Sequence, residues 1–171
     1  MSLSSVYAEF DLFCVIIMVM ITYKTISLSK HLRYQWIYLV MMFFAMTLVA
    51  SDMLYEFSCS GNLNFSEGCI YLLNIIYFIS SLMIAFFWFV YTYSISGLTC
   101  KNKKIFWTLV FLPIFILSVI SFFTKITRWV FYFDAEGYHR GTLNALYMII
   151  PLVYFVSSCV MALSTLLRIW G

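Results

Sequence analysis

Charge is scarce in this sequence. Lysine, arginine, aspartate and glutamate make up 10% of its 171 residues, against roughly 25% in ordinary soluble domains. So few ionisable side chains cannot cover a folded domain with a wetted surface, which excludes a water-soluble globular protein. The ten basic residues form no tract able to follow a phosphate backbone, so the net charge of +3 does not imply a nucleic-acid partner. Histidine occurs twice, at His31 and His139, and glycine six times. There is no glycine-rich phosphate loop, no histidine–glutamate zinc motif and no GxSxG nucleophile elbow. No catalytic residue, cofactor or metal centre is therefore expected, and a self-contained enzyme is not the reading.

What fills the chain instead is apolar: 64% of residues are hydrophobic and 21% aromatic. A bilayer-spanning helix needs about 20 apolar residues, and five stretches qualify, near residues 10–28, 35–57, 69–96, 105–125 and 142–169. They are continuously apolar rather than alternating, which favours helices over barrel strands. The expected fold class is an all-α integral membrane protein, a five-helix transmembrane bundle forming one domain over residues 1–171. The N-terminal stretch has acids and no base ahead of its apolar run, so it is expected to be retained rather than cleaved as a signal.

Seven of the ten basic residues, Lys24, Lys30, Arg33, Lys101, Lys103, Lys104 and Arg168, fall on one side of this layout. By the positive-inside rule that side is cytoplasmic, placing the N-terminus outside and the C-terminus inside. The acids Glu9, Asp11, Asp52, Glu56, Glu67, Asp134 and Glu136 lie toward the other side. Trp36, Trp107, Trp129 and Trp170 sit where aromatic belts are expected. The two histidines fall on opposite sides, with His31 in a basic cytoplasmic loop.

Cys14 and Cys159 lie within predicted spans as small packing residues, and Cys100 is on the reducing side. Cys59 and Cys69 bracket the outer loop "CSGNLNFSEGC". The loop joins adjacent helices on the side open to oxidation, so the pair is either a disulfide or two free thiols.

Polar residues within the spans cluster by depth. Asp52 and Glu56, four apart, share a helical face, and Asn74 lies at a comparable depth on the third span. A charge in hydrocarbon costs about 2.5–3.5 kcal/mol, so Asp52 should face other helices or a wet cavity. Asn144 and Tyr147 on the fifth span, and Asp11 on the first, fall near the same boundary. Two uses are open: hydrogen-bonded cross-links between helices, or a ligand site formed by Asp52, Glu56, Asn74, Asn144, Tyr147, His139 and Arg140. Pro113 and Pro151 are each expected about ten residues into their helices, freeing the carbonyls of Leu109 and Tyr147.

Between the last two spans, "WVFYFDAEGYHRG" places large β-forming residues on either side of "DAEG", which predicts an extracytoplasmic β-hairpin over residues 129–141. Trp129, Phe131, Tyr132, Asp134, Gly137, Tyr138, His139, Arg140 and Gly141 carry a resemblance to the last part of the multi-helix N-terminal sensor regions of bacterial diguanylate cyclases of the GGDEF type. The seven-helix input region of some histidine kinases is similar in layout. The resemblance covers the final third of the chain; the earlier helices match only in number and polarity. It implies a sensory input module of a bacterial inner membrane, with the last helix leading to a cytoplasmic output. Neither a GGDEF sequence nor a phosphoacceptor histidine motif occurs in these 171 residues.

The partners expected are the lipid bilayer, a small ligand, a cytoplasmic signalling domain or protein, and a homodimeric second copy. The alternative is a small transporter or accessory membrane subunit using Asp52 as a cation or proton site. The near absence of ionisable groups from the cytoplasmic halves of the spans weighs against that alternative.

Overall fold

A computed structural model of the chain describes residues 3–28, 34–59, 65–98, 102–134 and 137–170, and within these the side chains of all but residues 3–10, 28, 169 and 170. Lys30, His31, Arg33, Cys100, Lys101 and Glu136, and the side chains of Glu9 and Trp170, lie outside the described residues. The elements in order are α1 (Leu3–Leu28), α2 (Gln35–Cys59), α3 (Glu67–Ser96), α4 (Lys103–Phe122), α5 (Thr124–Thr127), β1 (Phe131–Asp134), β2 (Gly137–Arg140) and α6 (Leu146–Trp170). Among the described residues four helices, Gln35–Cys59, Glu67–Ser96, Lys103–Phe122 and Leu146–Arg168, are long and apolar enough to cross a membrane. The chain is thus a mainly helical membrane protein with one small sheet.

Large apolar side chains point outward all along these helices, among them Met20, Phe43, Leu72, Leu109, Phe115, Leu152 and Leu163. What is buried is a narrow stripe. On α4 and α5 it runs Ile114, Leu117, Ser121, Thr124; from the turn before α6 it runs Asn144, Tyr147, Pro151, Tyr154, Ser158. Both follow the alternating three-and-four spacing of a helix that contacts its neighbours along one seam. In a bilayer the remaining apolar surface would face lipid, so no wider core would be needed.

Residues 1–81 and 82–171 form two compact units. In the first, α1 and α2 make a close antiparallel pair. The Gln35 side-chain amide donates to the Thr25 carbonyl at 3.1 Å, closing the pair at its turn end. Ser66 caps α3, its hydroxyl accepting from the Cys69 N–H at 3.4 Å, with Glu67 in the first turn. Polar residues elsewhere on the helices are satisfied locally. Thr22, Thr47, Thr92 and Thr108 each donate to the carbonyl four residues back at 2.7–3.0 Å.

The second unit begins within α3, which ends where Gly97 adopts φ of +64°, a left-handed stop that costs glycine little. Phe89 is buried between the other two long helices, edge-on to Tyr154 of α6 at 5.6 Å and against Phe106 of α4 at 6.3 Å. α4 and α6 are antiparallel, and tyrosines bridge them. The Tyr147 hydroxyl donates to the Leu117 carbonyl and lies 2.7 Å from the Ser121 hydroxyl; the Tyr154 hydroxyl donates to the Val110 carbonyl. Tyrosines seven residues apart on one helix therefore meet carbonyls seven apart on the other.

Four boundaries differ from expectation. The first span, predicted over 10–28, begins at Leu3. The fourth span, predicted as continuous over 105–125, breaks at Phe123, and α5 follows as a single turn. The fifth span starts at Leu146 instead of 142, because residues 142–145 form turns that bond back to the hairpin. Pro151 consequently lies near the start of α6 rather than at mid-helix; Pro113 is in the interior of α4 as predicted. The strands are Phe131–Asp134 and Gly137–Arg140, shorter than the predicted 129–141.

Candidate functional site

The hairpin is built from its neighbours inward. Thr124, fully buried, uses its hydroxyl three ways: it accepts from the Val130 N–H at 3.2 Å and the Phe131 N–H at 3.3 Å, and donates to the Phe131 carbonyl at 3.1 Å. The antiparallel ladder makes these bonds available. Val130 O accepts from Gly141 N–H at 2.8 Å. Alternation then directs the Phe131 N–H and C=O away from β2 and toward Thr124. Phe131 itself is fully buried, packed against Phe133 and Tyr138. This ties α5 to β1.

The approach to β1 is also tied to the turns that precede α6. Leu143 N–H donates to the Trp129 carbonyl at 2.8 Å, and the Asn144 side-chain amide donates to the Val130 carbonyl at 3.3 Å. Gly141 is required by close approach: a Cβ there would overlap the carbonyl oxygens of Trp129 and Arg128. Arg128 ends α5 in the left-handed region at φ 57°, a conformation that costs a side-chain-bearing residue about 1–2 kcal/mol. The surrounding bonds hold it there.

The opposite face of the hairpin is polar. Tyr132 and His139 are cross-strand partners with rings stacked 5.2 Å apart and 17° from parallel. The Arg128 guanidinium lies 5.7 Å from the centre of the Tyr132 ring, within cation–π range. His139 Nε2 is 2.9 Å from Asp134 Oδ1. Arg140 pairs with Phe131 in the ladder, and its side chain is exposed.

Of the residues expected to form a site, Asn144, Tyr147, His139 and Arg140 belong to this second unit. Asn144 and Tyr147 are buried and hydrogen-bonded to backbone carbonyls as described. Asp52, Glu56 and Asn74 belong to the first unit. Asp52 and Glu56 are half-buried one turn apart on α2; Asn74 on α3 is buried and donates to the Ile70 carbonyl of its own helix at 3.0 Å. Asp11 of α1 and Glu56 lie within electrostatic reach of Asp52, and the Tyr77 hydroxyl lies in the field of Asp52 and Asp11. Three carboxylates of α1 and α2 thus act on one another beside a phenol from α3.

Cys59 and Cys69 are exposed free thiols, and the Ser66 hydroxyl donates to Cys69 Sγ at 3.3 Å. Among the described residues no three His, Cys, Asp or Glu side chains converge to hold a metal ion.

Sequence reasoning did not single out Thr124, Ser121, Tyr154 or Tyr77. A signal existed for two of them: Tyr147 and Tyr154 are one heptad apart on the seam that also carries Pro151, and Ser121 falls on the matching seam of α4. Thr124 gave none, because a threonine at the end of an apolar run is ordinary. Against this architecture no protein-family model, no curated protein and no solved structure gives a match.

Proposed function

We propose that the chain is a membrane-embedded sensory input module, whose extracytoplasmic end reads a small ligand and whose last helix carries the response to a cytoplasmic output. In this reading five helices cross a bacterial inner membrane with the N-terminus outside. Lys103 and Lys104 at the start of α4, and Arg168 near the end of α6, mark the cytoplasmic end of the second unit, opposite the hairpin. One observation carries the proposal: the hairpin is hydrogen-bonded to α5 through Thr124 and to the start of α6 through Leu143 and Asn144. A ligand that binds one hairpin position better than another shifts α6 against α4, and signalling needs no more than that differential affinity.

The test uses spin labels at Lys103→Cys and Arg168→Cys, with the five native cysteines replaced, in lipid nanodiscs. Loosening the hairpin with Thr124→Val should broaden or displace the distance distribution between the cytoplasmic ends. An unchanged distribution would mean that the hairpin does not communicate with those ends.

The acidic group of Asp11, Asp52 and Glu56 favours one second reading, a transporter or accessory subunit that passes a cation or proton through the first unit. Flux into liposomes that is abolished by Asp52→Asn would establish it; absence of flux leaves the sensory reading.

A further inference from the structure

The two prolines of the chain stand level with one another. Tyr154 of α6 donates to the Val110 carbonyl of α4, and Tyr147 donates to the Leu117 carbonyl. Pro113 lies between Val110 and Leu117, three residues from the first and four from the second. Pro151 lies between Tyr154 and Tyr147 at the same two spacings. In an antiparallel pair this match puts both prolines at one height, about 4.5 Å along the axes from one bridge and about 6 Å from the other. Pro151 and Ile114 are buried there, on the seam between the helices.

Each proline removes a rung at that height. Pro113 has no N–H for the Leu109 carbonyl, and Pro151 has none for the Tyr147 carbonyl. Sharp bends in helices occur chiefly where a proline interrupts the ladder. A single interruption would be held straight by an intact neighbour, but here the neighbour is interrupted at the same height.

The chain on either side is tied into a block. On the Lys103 side α3 braces the other two helices, with Phe89 against Phe106 and Tyr154, and Tyr93 against Phe106 and Trp107. On the hairpin side the Ser121 hydroxyl, 2.7 Å from that of Tyr147, joins α4 to α6. The Thr124 and Asn144 side chains then join both to residues 130 and 131.

We infer that Pro113 and Pro151 form one paired hinge, about which the hairpin block tilts as a unit against the block braced by α3. A bend of about 20° would carry Phe122, about 14 Å beyond Pro113 on α4, sideways by about 5 Å. The hinge stands whether or not the hairpin reads a ligand, and its test uses neither a ligand nor the distance between Lys103 and Arg168.

That test is methyl relaxation dispersion on the full chain in lipid nanodiscs, with the isoleucine δ-methyls labelled. Collective hinge motion falls in the microsecond-to-millisecond range that dispersion reads. Ile114 and Ile150 each adjoin a proline in sequence, one on each helix. Their methyls should disperse with one shared exchange rate, while Ile105, near the Lys103 end of α4, stays flat. Pro113→Ala restores an N–H to α4 alone, and it should abolish dispersion at Ile150 as well as at Ile114. Pro151→Ala should do the same from the other helix. Absence of dispersion at Ile114 and Ile150 in the unaltered chain overturns the inference, a result that needs no variant to fold. Two unrelated rates, the same dispersion at Ile105, or dispersion at Ile150 that survives Pro113→Ala also overturn it.

Discussion

Replacing Thr124 with valine preserves shape and removes one oxygen. That oxygen is the acceptor for two buried backbone donors, Val130 N–H and Phe131 N–H, and the donor to Phe131 O. A buried donor left without a partner costs about 1–3 kcal/mol. With two such donors, partly relieved by water at the hairpin edge, the local opening free energy should drop by about 2–4 kcal/mol. Hydrogen exchange reads this directly, because amide protection in a cooperative local unit reports its opening free energy. At 1.36 kcal/mol per tenfold, exchange at Val130 and Phe131 should accelerate by roughly 30- to 900-fold. Thr124→Ser keeps the oxygen and should remain within about tenfold of wild type, a difference of no more than about 1.4 kcal/mol. Amides in the middle of α3 should not change. If exchange at residues 130 and 131 in Thr124→Val stayed within about threefold of wild type, less than about 0.7 kcal/mol, then Thr124 would not be what holds the strand. The break between α4 and α5 would need another cause.

Gly141→Ala should lower the thermal midpoint in detergent far more than Gly68→Ala, since its Cβ meets two backbone carbonyl oxygens whereas nothing lies near that of Gly68; equal midpoints would show that the 128–130 backbone gives way. Tyr154→Phe should cost about 0.6–2 kcal/mol, the range for a hydrogen bond between membrane helices, measured by unfolding in mixed micelles, and Tyr147→Phe should cost more because it also strips Ser121 of a partner. Oxidation of Cys59 and Cys69 to a disulfide would close a loop of about eleven residues and stabilise the chain by at most roughly 3 kcal/mol. A reductant-sensitive shift in gel mobility that is lost in Cys59→Ser reads the bond, and identical mobility of both proteins under oxidant shows that the thiols do not pair.

Much of the fold was legible because membrane residence imposes coarse, strong rules. Continuous apolar runs marked Gln35–Cys59 and Glu67–Ser96 to within two residues at each end. The hairpin was legible from "DAEG" and the aromatic residues before it. Two of the boundaries missed are those where tertiary bonds compete with the helix. Thr124 to Thr127 read as the tail of α4 by composition, yet the Thr124 hydroxyl is claimed by β1. Residues 142–145 read as the head of α6, yet Leu143 N–H and the Asn144 side chain bond to residues 129 and 130. Neither bond leaves a local trace in a sequence, because each joins residues more than five positions apart.

The polar residues of the spans were harder to read, and the reason is physical. In water, a hydroxyl or amide on an apolar helix is unusual enough to suggest a ligand. In lipid, every carbonyl not saturated within its own helix is a potential acceptor, and hydroxyls of neighbouring helices are drawn to it. Tyr154 meets the carbonyl of Val110, next to that of Leu109, which is the one Pro113 leaves without a donor; Tyr147 meets Leu117 one heptad further along. Asn144 and Tyr147 therefore have structural partners that account for their depth. Asp52 is different: a carboxylate does not donate to carbonyls when ionised, and the groups acting on it are the acids Asp11 and Glu56. Hydrogen bonding between helices explains the amide and the phenol of the second unit but gives no such account of Asp52, so a search for a ligand or transported ion should begin in the first unit.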